Sequence, residues 1–387
     1  MALNPACVYG RRLMQIESRI VKRLCLGAGI AALGVAGTLA VRAQQEATPL
    51  YRVADDAVVS ESVLRGAIDP LFEDDAMGQT RALVVLRDGE IVAERYAPGF
   101  GPDTKLMSWS MAKSVTAVLV GLMVADGRLA LDAPVPVDAW RQPGDPRGAI
   151  TLRQLLTMTS GLDHVEDGEP VTEGDTVRML FMDGALDMAG YAKAKPLAHA
   201  PGSAFVYSTA TTMILSDLMT RMLTNSADPD ARRRAMQTFI DGRLKAPGKL
   251  PSLTPEYDAA GTMIGGSILH MTARDYGRFG ELLRRRGKGP TGHQILPEKW
   301  IDLMTTPSRR NAAYGLHIWL NRDSAESALM PGQAPQSLFG CVGHNGQYIL
   351  ISPSQRLTVV RIGMSPQRDQ RRAVRTALAK LVGLFPG

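Results

Sequence analysis

Ser110 and Lys113 stand three residues apart in the run Ser110-Met111-Ala112-Lys113. In a helix, residues at that spacing share a face, one turn above the other. The run opens an apolar segment, Ser110 to about Ala125, whose pattern predicts a helix. A hydroxyl at the start of that helix meets unpaired backbone N–H groups and a partial positive charge. A lysine held in a dry pocket behind it can lose its charge and take the hydroxyl proton. The pair therefore supplies a nucleophile and its base. The same residues also fit a plainer reading, a capping serine with a solvated lysine one turn on.

Two further clusters carry reactive side chains. Tyr207-Ser208-Thr209 follows Pro201-Gly202-Ser203-Ala204-Phe205-Val206, and Gly343-His344-Asn345-Gly346-Gln347 leads into a strand. Taken alone, Tyr207 reads equally well as a half-buried core tyrosine, and Asn345-Gly346 as a turn before a strand.

Several elements must position these residues. Ala82-Leu83-Val84-Val85-Leu86 and Ile91-Val92-Ala93-Glu94-Arg95-Tyr96 flank Asp88-Gly89, which predicts a β-hairpin. Tyr348-Ile349-Leu350-Ile351 and Leu357-Thr358-Val359-Val360-Arg361-Ile362 predict a second strand pair around Ser352-Pro353-Ser354-Gln355. A helix with Pro70 near its end is expected over Ser60 to Phe72, and others over 272–285, 297–304 and 370–384. Residues from about 127 to 255 read as helices and loops, with Thr151 and Gln154 in a capping-box pattern. Strands near both ends with helices between predict an α+β fold. Its antiparallel sheet draws on both ends of the chain, is flanked by helices, and carries an inserted, mostly helical region.

The 387 residues are 45% hydrophobic and 21% charged, an ordinary globular composition. The net charge of +6 is placed unevenly. Residues 1–43 hold Arg11, Arg12, Arg19, Lys22, Arg23 and Arg42 against one acid, Glu17, so the remainder is nearly neutral. No electrostatic footprint for nucleic acid remains there. Leu24 to Val41 is an uncharged run of 18 residues behind a basic flank. That pattern predicts a leader over 1–43, either a signal peptide or a membrane anchor, with the body exported to the periplasm. A polar linker is expected over 44–58 and the main domain over 59–387. Beyond Cys7 and Cys25 only Cys341 remains, so the body forms no internal disulfide. The six histidines (His164, His199, His270, His293, His317, His344) show no ligand-type pairing, so neither a metal site nor another cofactor is expected.

The three clusters, in this order, resemble the serine β-lactamase and penicillin-binding-protein superfamily. The resemblance is nearest to its class C-like branch, with esterases and 6-aminohexanoate-dimer hydrolases. It spans roughly residues 60–385 and includes Leu155-Leu156-Thr157-Met158-Thr159-Ser160-Gly161-Leu162, Gly265-Gly266 to Asp275, and Tyr314-Gly315-Leu316. It implies a β-lactamase/transpeptidase-like fold with Ser110 as acylated nucleophile, Lys113 as base partner and Tyr207 as the acid/base that serves the leaving group. It also implies an oxyanion hole from the N–H groups of Ser110 and Gln347, and substrate contacts at Thr209, His344, Asn345 and Gly346.

The chain departs from the β-lactam enzymes of that superfamily at two places. Where Lys-Thr-Gly is usual, His344-Asn345-Gly346 stands, which removes the ammonium that pairs with a β-lactam carboxylate. Thr209 stands where asparagine is usual, leaving one donor instead of two. Both changes point toward small-molecule esters or linear amides. A β-lactamase or D,D-peptidase acting on cell-wall peptides, and a non-catalytic envelope binding protein, are the competing readings.

Overall fold

The β-rich runs of the sequence become one seven-stranded antiparallel sheet. The computed structural model describes residues 51–54 and 58–387. The expected leader and most of the expected linker lie outside the described residues. In chain order the first elements are β1 (Tyr51–Val53), α1 (Glu61–Ile68), α2 (Pro70–Glu73), β2 (Gln79–Arg87) and β3 (Glu90–Tyr96). Next come β4 (Leu106–Met107), α3 (Ala112–Ala125), α4 (Leu152–Leu156), α5 (Asp175–Phe181), α6 (Met188–Ala194), α7 (Thr209–Leu223) and α8 (Pro229–Ile240). The chain continues through β5 (Thr254–Pro255), β6 (Leu269–Met271), α9 (Ala273–Arg284) and α10 (Glu298–Met304). It finishes with β7 (Trp319–Leu320), β8 (Phe339–Gly343), β9 (Gln347–Ser352), β10 (Leu357–Met364) and α11 (Arg368–Gly383). The described residues form one compact unit, so the helical region between α3 and β5 is part of it.

The sheet order is β1-β3-β2-β10-β9-β8-β7, and β4-β6-β5 make a small second sheet. The β2–β10 ladder, with Val84 opposite Val360, joins the two ends of the domain as expected. Both residues of the Asp88-Gly89 turn have positive φ (52° and 91°), the geometry that lets two strands reverse tightly. Tyr51–Val53, expected to be polar linker, instead pairs with β3 as an edge strand.

Alternation along the strands divides the core in two. Ala82, Val84, Leu86, Val360 and Ile362 face the helical side, where α9 packs on β2, β9 and β10. Leu83, Val85, Val359 and Leu350 face α1 and α11, meeting Leu64, Ile68, Val374 and Leu378. Helix α3 is buried almost throughout, packed against α7 inside the helical core. Its one glycine has a steric reason. A Cβ at Gly121 would sit 2.4 Å from the Trp300 indole nitrogen, which donates to the Ala117 carbonyl at 3.1 Å.

That close approach sets the depth at which the Ser110 helix lies. Gly121→Ala is expected to destabilise the protein by about 1–3 kcal/mol through overpacking. Denaturant unfolding of the two proteins measures it, and equal midpoints would show that Trp300 swings aside freely.

Candidate active site

Ser110 lies in a tight turn, Trp109–Met111, just ahead of α3. The expected helix therefore starts at Ala112, two residues later than its sequence pattern. Trp109 holds φ at 45°, a left-handed conformation that a bulky residue rarely adopts. Contacts on both sides keep it there. Ser108 N–H donates to Leu269 O at 2.8 Å, and its hydroxyl accepts from Leu269 N–H at 3.2 Å. The Trp109 indole N–H donates to the Gln347 amide oxygen at 3.2 Å, while the Gln347 amide donates to Met107 O at 3.0 Å. The end of β8 presses on the same turn: a Cβ at Gly343 would stand 2.6 Å from Ser108 O.

One helical turn on, Lys113 is only 1% exposed. Its Nζ lies 2.9 Å from Ser110 Oγ, 2.8 Å from Thr209 Oγ1 and 2.8 Å from Gly266 O. Burial lowers its pKa from the usual 10.5 to about 8, with Glu166 acting weakly in the opposite direction. The partners fix how a neutral amine must sit. The Gly266 carbonyl can only accept. Thr209 has one proton, which its hydroxyl gives to Glu166 Oε1 at 2.6 Å, so toward Lys113 it too must accept. A neutral Lys113 therefore spends both of its N–H bonds on Thr209 and Gly266 and aims its lone pair at Ser110.

Glu166 also takes the Thr209 backbone N–H on Oε2 at 2.5 Å, so its carboxylate sits at the N-terminus of α7, where negative charge is favoured. Its loop is held at the base. Val165 N–H donates to Asp175 Oδ2 at 2.7 Å, and Asp175 N–H donates back to Val165 O at 2.7 Å. The other Asp175 oxygen takes Tyr191 and Lys195. Buried His164 braces the same segment. Its Nε2 donates to Ala192 O at 3.1 Å, leaving Nδ1 to accept from Ser208 Oγ at 3.0 Å. Desolvation lowers the His164 pKa, which keeps that tautomer neutral.

Tyr207 closes the other side. Lys113 Nζ stands 4.8 Å from its ring centroid. Burial, followed by the nearby Glu166 charge, raises the phenol well above its ordinary value, while an interaction with the Ser110 hydroxyl works the other way. The phenol therefore stays protonated at neutral pH. Around it Tyr314 and Trp319 form an aromatic wall, with ring centroids 5.9 and 5.6 Å from that of Tyr207. Phe205 extends the wall, 5.3 Å from Tyr314. The Tyr314–Trp319 segment is pinned to α3 through Ser114 Oγ, which donates to His317 O at 2.7 Å.

Ser110, Lys113 and Tyr207 thus converge, with Thr209 and the third cluster beside them. Thr209, expected to meet substrate, is buried, with its hydroxyl proton on Glu166 and its oxygen 2.8 Å from Lys113 Nζ. His344-Asn345-Gly346 is the turn of the β8–β9 hairpin, with positive φ at Asn345 (61°) and Gly346 (77°). Partial desolvation lowers the His344 pKa, so the imidazole, edge-on to Trp109 at 5.4 Å, favours its neutral form at neutral pH. Gln347 opposes Gly343 in the hairpin, with its side chain beneath the nucleophile turn. Sequence reasoning missed Glu166, the Gly266 carbonyl and the aromatic wall as parts of the site. Gly265-Gly266 and Tyr314-Gly315-Leu316 stood out as stretches of the resemblance without a role of their own, and nothing singled out Glu166.

Known proteins resemble this chain in sequence and in fold. A 6-aminohexanoate-dimer hydrolase from Paenarthrobacter ureafaciens is 24% identical over 310 residues, covering 76% of this chain and 74% of that protein. Esterase EstB from Burkholderia gladioli is 33% identical over 174 residues, 38% of this chain and 43% of that one. Among solved structures, a family VIII carboxylesterase superposes with a TM-score of 0.61 at 16% identity, covering 86% of this chain and 99% of the other. The beta-lactamase family profile matches residues 72–384, and the chain belongs to that family.

Proposed function

We infer that the protein is a serine hydrolase that cleaves ester or small linear amide bonds through an acyl-enzyme on Ser110. The observation that carries this is the Lys113 amine, dry, with a lowered pKa and a lone pair directed at Ser110 Oγ. As Oγ attacks the substrate carbonyl, its proton passes to Lys113. In this reading the charge that develops on the carbonyl oxygen is met by the backbone N–H groups of Ser110 and Gln347, a role supported by the contact of the Gln347 side chain and of β8 with the Ser110 turn. Tyr207, kept protonated, relays a proton to the departing alcohol or amine. Water then attacks the acyl-enzyme as the same groups run in reverse, and the acid leaves.

The hydrolase names of the sequence relatives support this class. The neutral His344 turn argues against β-lactam or cell-wall peptide carboxylates as the preferred partners, since it offers no cation to pair with them. The basic flank and apolar run of residues 19–41 support export of the body, with periplasmic placement and either cleavage or retention of the leader.

Brief mixing of the full chain with a p-nitrophenyl ester of a short acid tests the reading. The expected result is a burst of nitrophenol with a matching gain in intact mass, both lost in Ser110→Ala. A folded protein that gives neither burst nor adduct would favour the binding-protein alternative, and stable acylation by a penicillin would favour the β-lactam one.

The pH profile tests the network. The neutral amine is the active form, so kcat/KM should rise with pH through an apparent pKa near 8 and level off above it. The Glu166 charge raises the Lys113 pKa, so Glu166→Gln should move the midpoint to lower pH. Loss of the fixed Thr209 proton should also lower the plateau by about tenfold. An unchanged midpoint and plateau would make Glu166 a bystander.

A further inference from the structure

Among the buried charges outside the mechanism is one with no ionic partner among the described residues. Arg361, on the central strand β10, is 0% exposed, and no carboxylate among the described residues forms an ion pair with it. Every oxygen it meets is formally neutral. Its Nε donates to Thr80 Oγ1 at 3.0 Å. Nη2 donates to Ser365 Oγ at 3.0 Å and Gln79 O at 3.2 Å. Nη1 donates to Gly346 O at 2.7 Å, with Asn345 O at 3.4 Å. These contacts account for all five donors of the fork. Burial lowers the guanidinium pKa to about 10, which still leaves it charged at neutral pH.

The surroundings are shaped for this side chain. A Cβ at Gly363 would stand 2.6 Å from the Arg361 Cζ. Gly346, at φ 77°, comes so near that a Cβ there would lie 3.3 Å from Nη1. Ser365 ties down the same corner, its N–H donating to Asn345 O at 2.9 Å and its hydroxyl to Met77 O at 2.6 Å. An uncompensated guanidinium in a central strand is costly compared with an apolar residue of the same volume. The groups it serves are the carbonyls of the turn that leads into Gln347.

Gly346 C=O and Gln347 N–H belong to one peptide unit. A charged donor on the carbonyl draws electron density from that unit and makes its N–H a stronger donor. We propose that Arg361 is a positioning residue for the oxyanion site: it pins the Asn345-Gly346 turn from the far face of the sheet and polarises the Gly346–Gln347 peptide toward the negative charge that develops on the substrate. The proposal rests on the hydrolase reading and on Gln347 N–H as the second oxyanion donor. Arg361 touches no substrate and acts only through that peptide.

Arg361→Gln and Arg361→Lys, made in the full chain, test this with two readouts. One is the acylation rate from the burst with a p-nitrophenyl ester. The other is the infrared stretch of a 13C-labelled acyl-enzyme carbonyl, which reports polarisation in the oxyanion site and is insensitive to the folded fraction. Arg361→Gln should acylate at least about tenfold more slowly with little change in KM, a smaller loss than the 10²–10³ of removing an oxyanion donor outright. Its carbonyl stretch should move to higher wavenumber. Arg361→Lys keeps a charge but cannot form the fork, so it should fall between the two in both readouts.

Parent-like rate and stretch in the folded variants would overturn the proposal, as would a rate loss with no spectral shift. Should Arg361→Gln not fold, Arg361→Lys alone decides on the same terms. A parent that never forms an acyl-enzyme overturns the hydrolase reading, and this proposal with it. A parent that acylates beside unchanged variants overturns this proposal alone.

Discussion

A lysine ammonium removed from water is the constraint around which this structure is arranged. Moving the Lys113 pKa from 10.5 to about 8 corresponds to a penalty on the order of 3 kcal/mol for holding the charged form at neutral pH. The sign follows from linkage: the unfolded chain binds this proton more tightly, so the penalty is present below about pH 8 and fades as pH rises toward the unfolded value. No carboxylate among the described residues touches the amine to cancel it. Glu166 reaches it only through Thr209, which keeps the pKa low while fixing where the amine's protons point. A direct ion pair would have done the opposite, holding Lys113 charged and useless as a base.

The surrounding elements serve that arrangement. Helix α3 offers Lys113 and Thr116 to two successive carbonyls, Gly266 and Gly265, so the strap after Met263 is fastened to the nucleophile helix at two points. Both glycines are sterically required. A Cβ at Gly265 would meet Thr116 and Ser216 at 2.5 Å, and one at Gly266 would meet Thr209 O at 2.7 Å. The neutral His317 ring, its pKa lowered by burial to about 3, donates to Leu156 O and accepts from Thr212, locking the aromatic segment to α4 and α7. Strain at Trp109 is tolerated because β6, β8 and Gln347 hold that turn from several directions.

The parts of this that were legible in the sequence are those governed by local rules. Helical spacing put Lys113 behind Ser110, the Asp88-Gly89 turn gave the first hairpin, and strand patterns at both ends gave the sheet. Tyr207 was visible only through the resemblance, as part of the second of the three clusters. Glu166 was not, because its meaning depends on the fold carrying it to a threonine 43 residues away. Strand β8, with glycines at 340 and 343, has little strand character of its own, so the His344-Asn345-Gly346 turn could not be recognised as its hairpin end. Arg361 lies in a run that reads as an ordinary strand, and only the pairing of β10 with β2 and β9 shows its charge to be enclosed.

The most direct test of the account is a titration of Lys113 itself, by NMR of the intact protein carrying 13Cε-labelled lysine, with Lys113→Arg used to assign the resonance. The account predicts one lysine that loses its proton near pH 8. A Lys113 resonance that stays in its ammonium position beyond pH 10 would contradict it, because a permanently charged lysine cannot take the proton of Ser110.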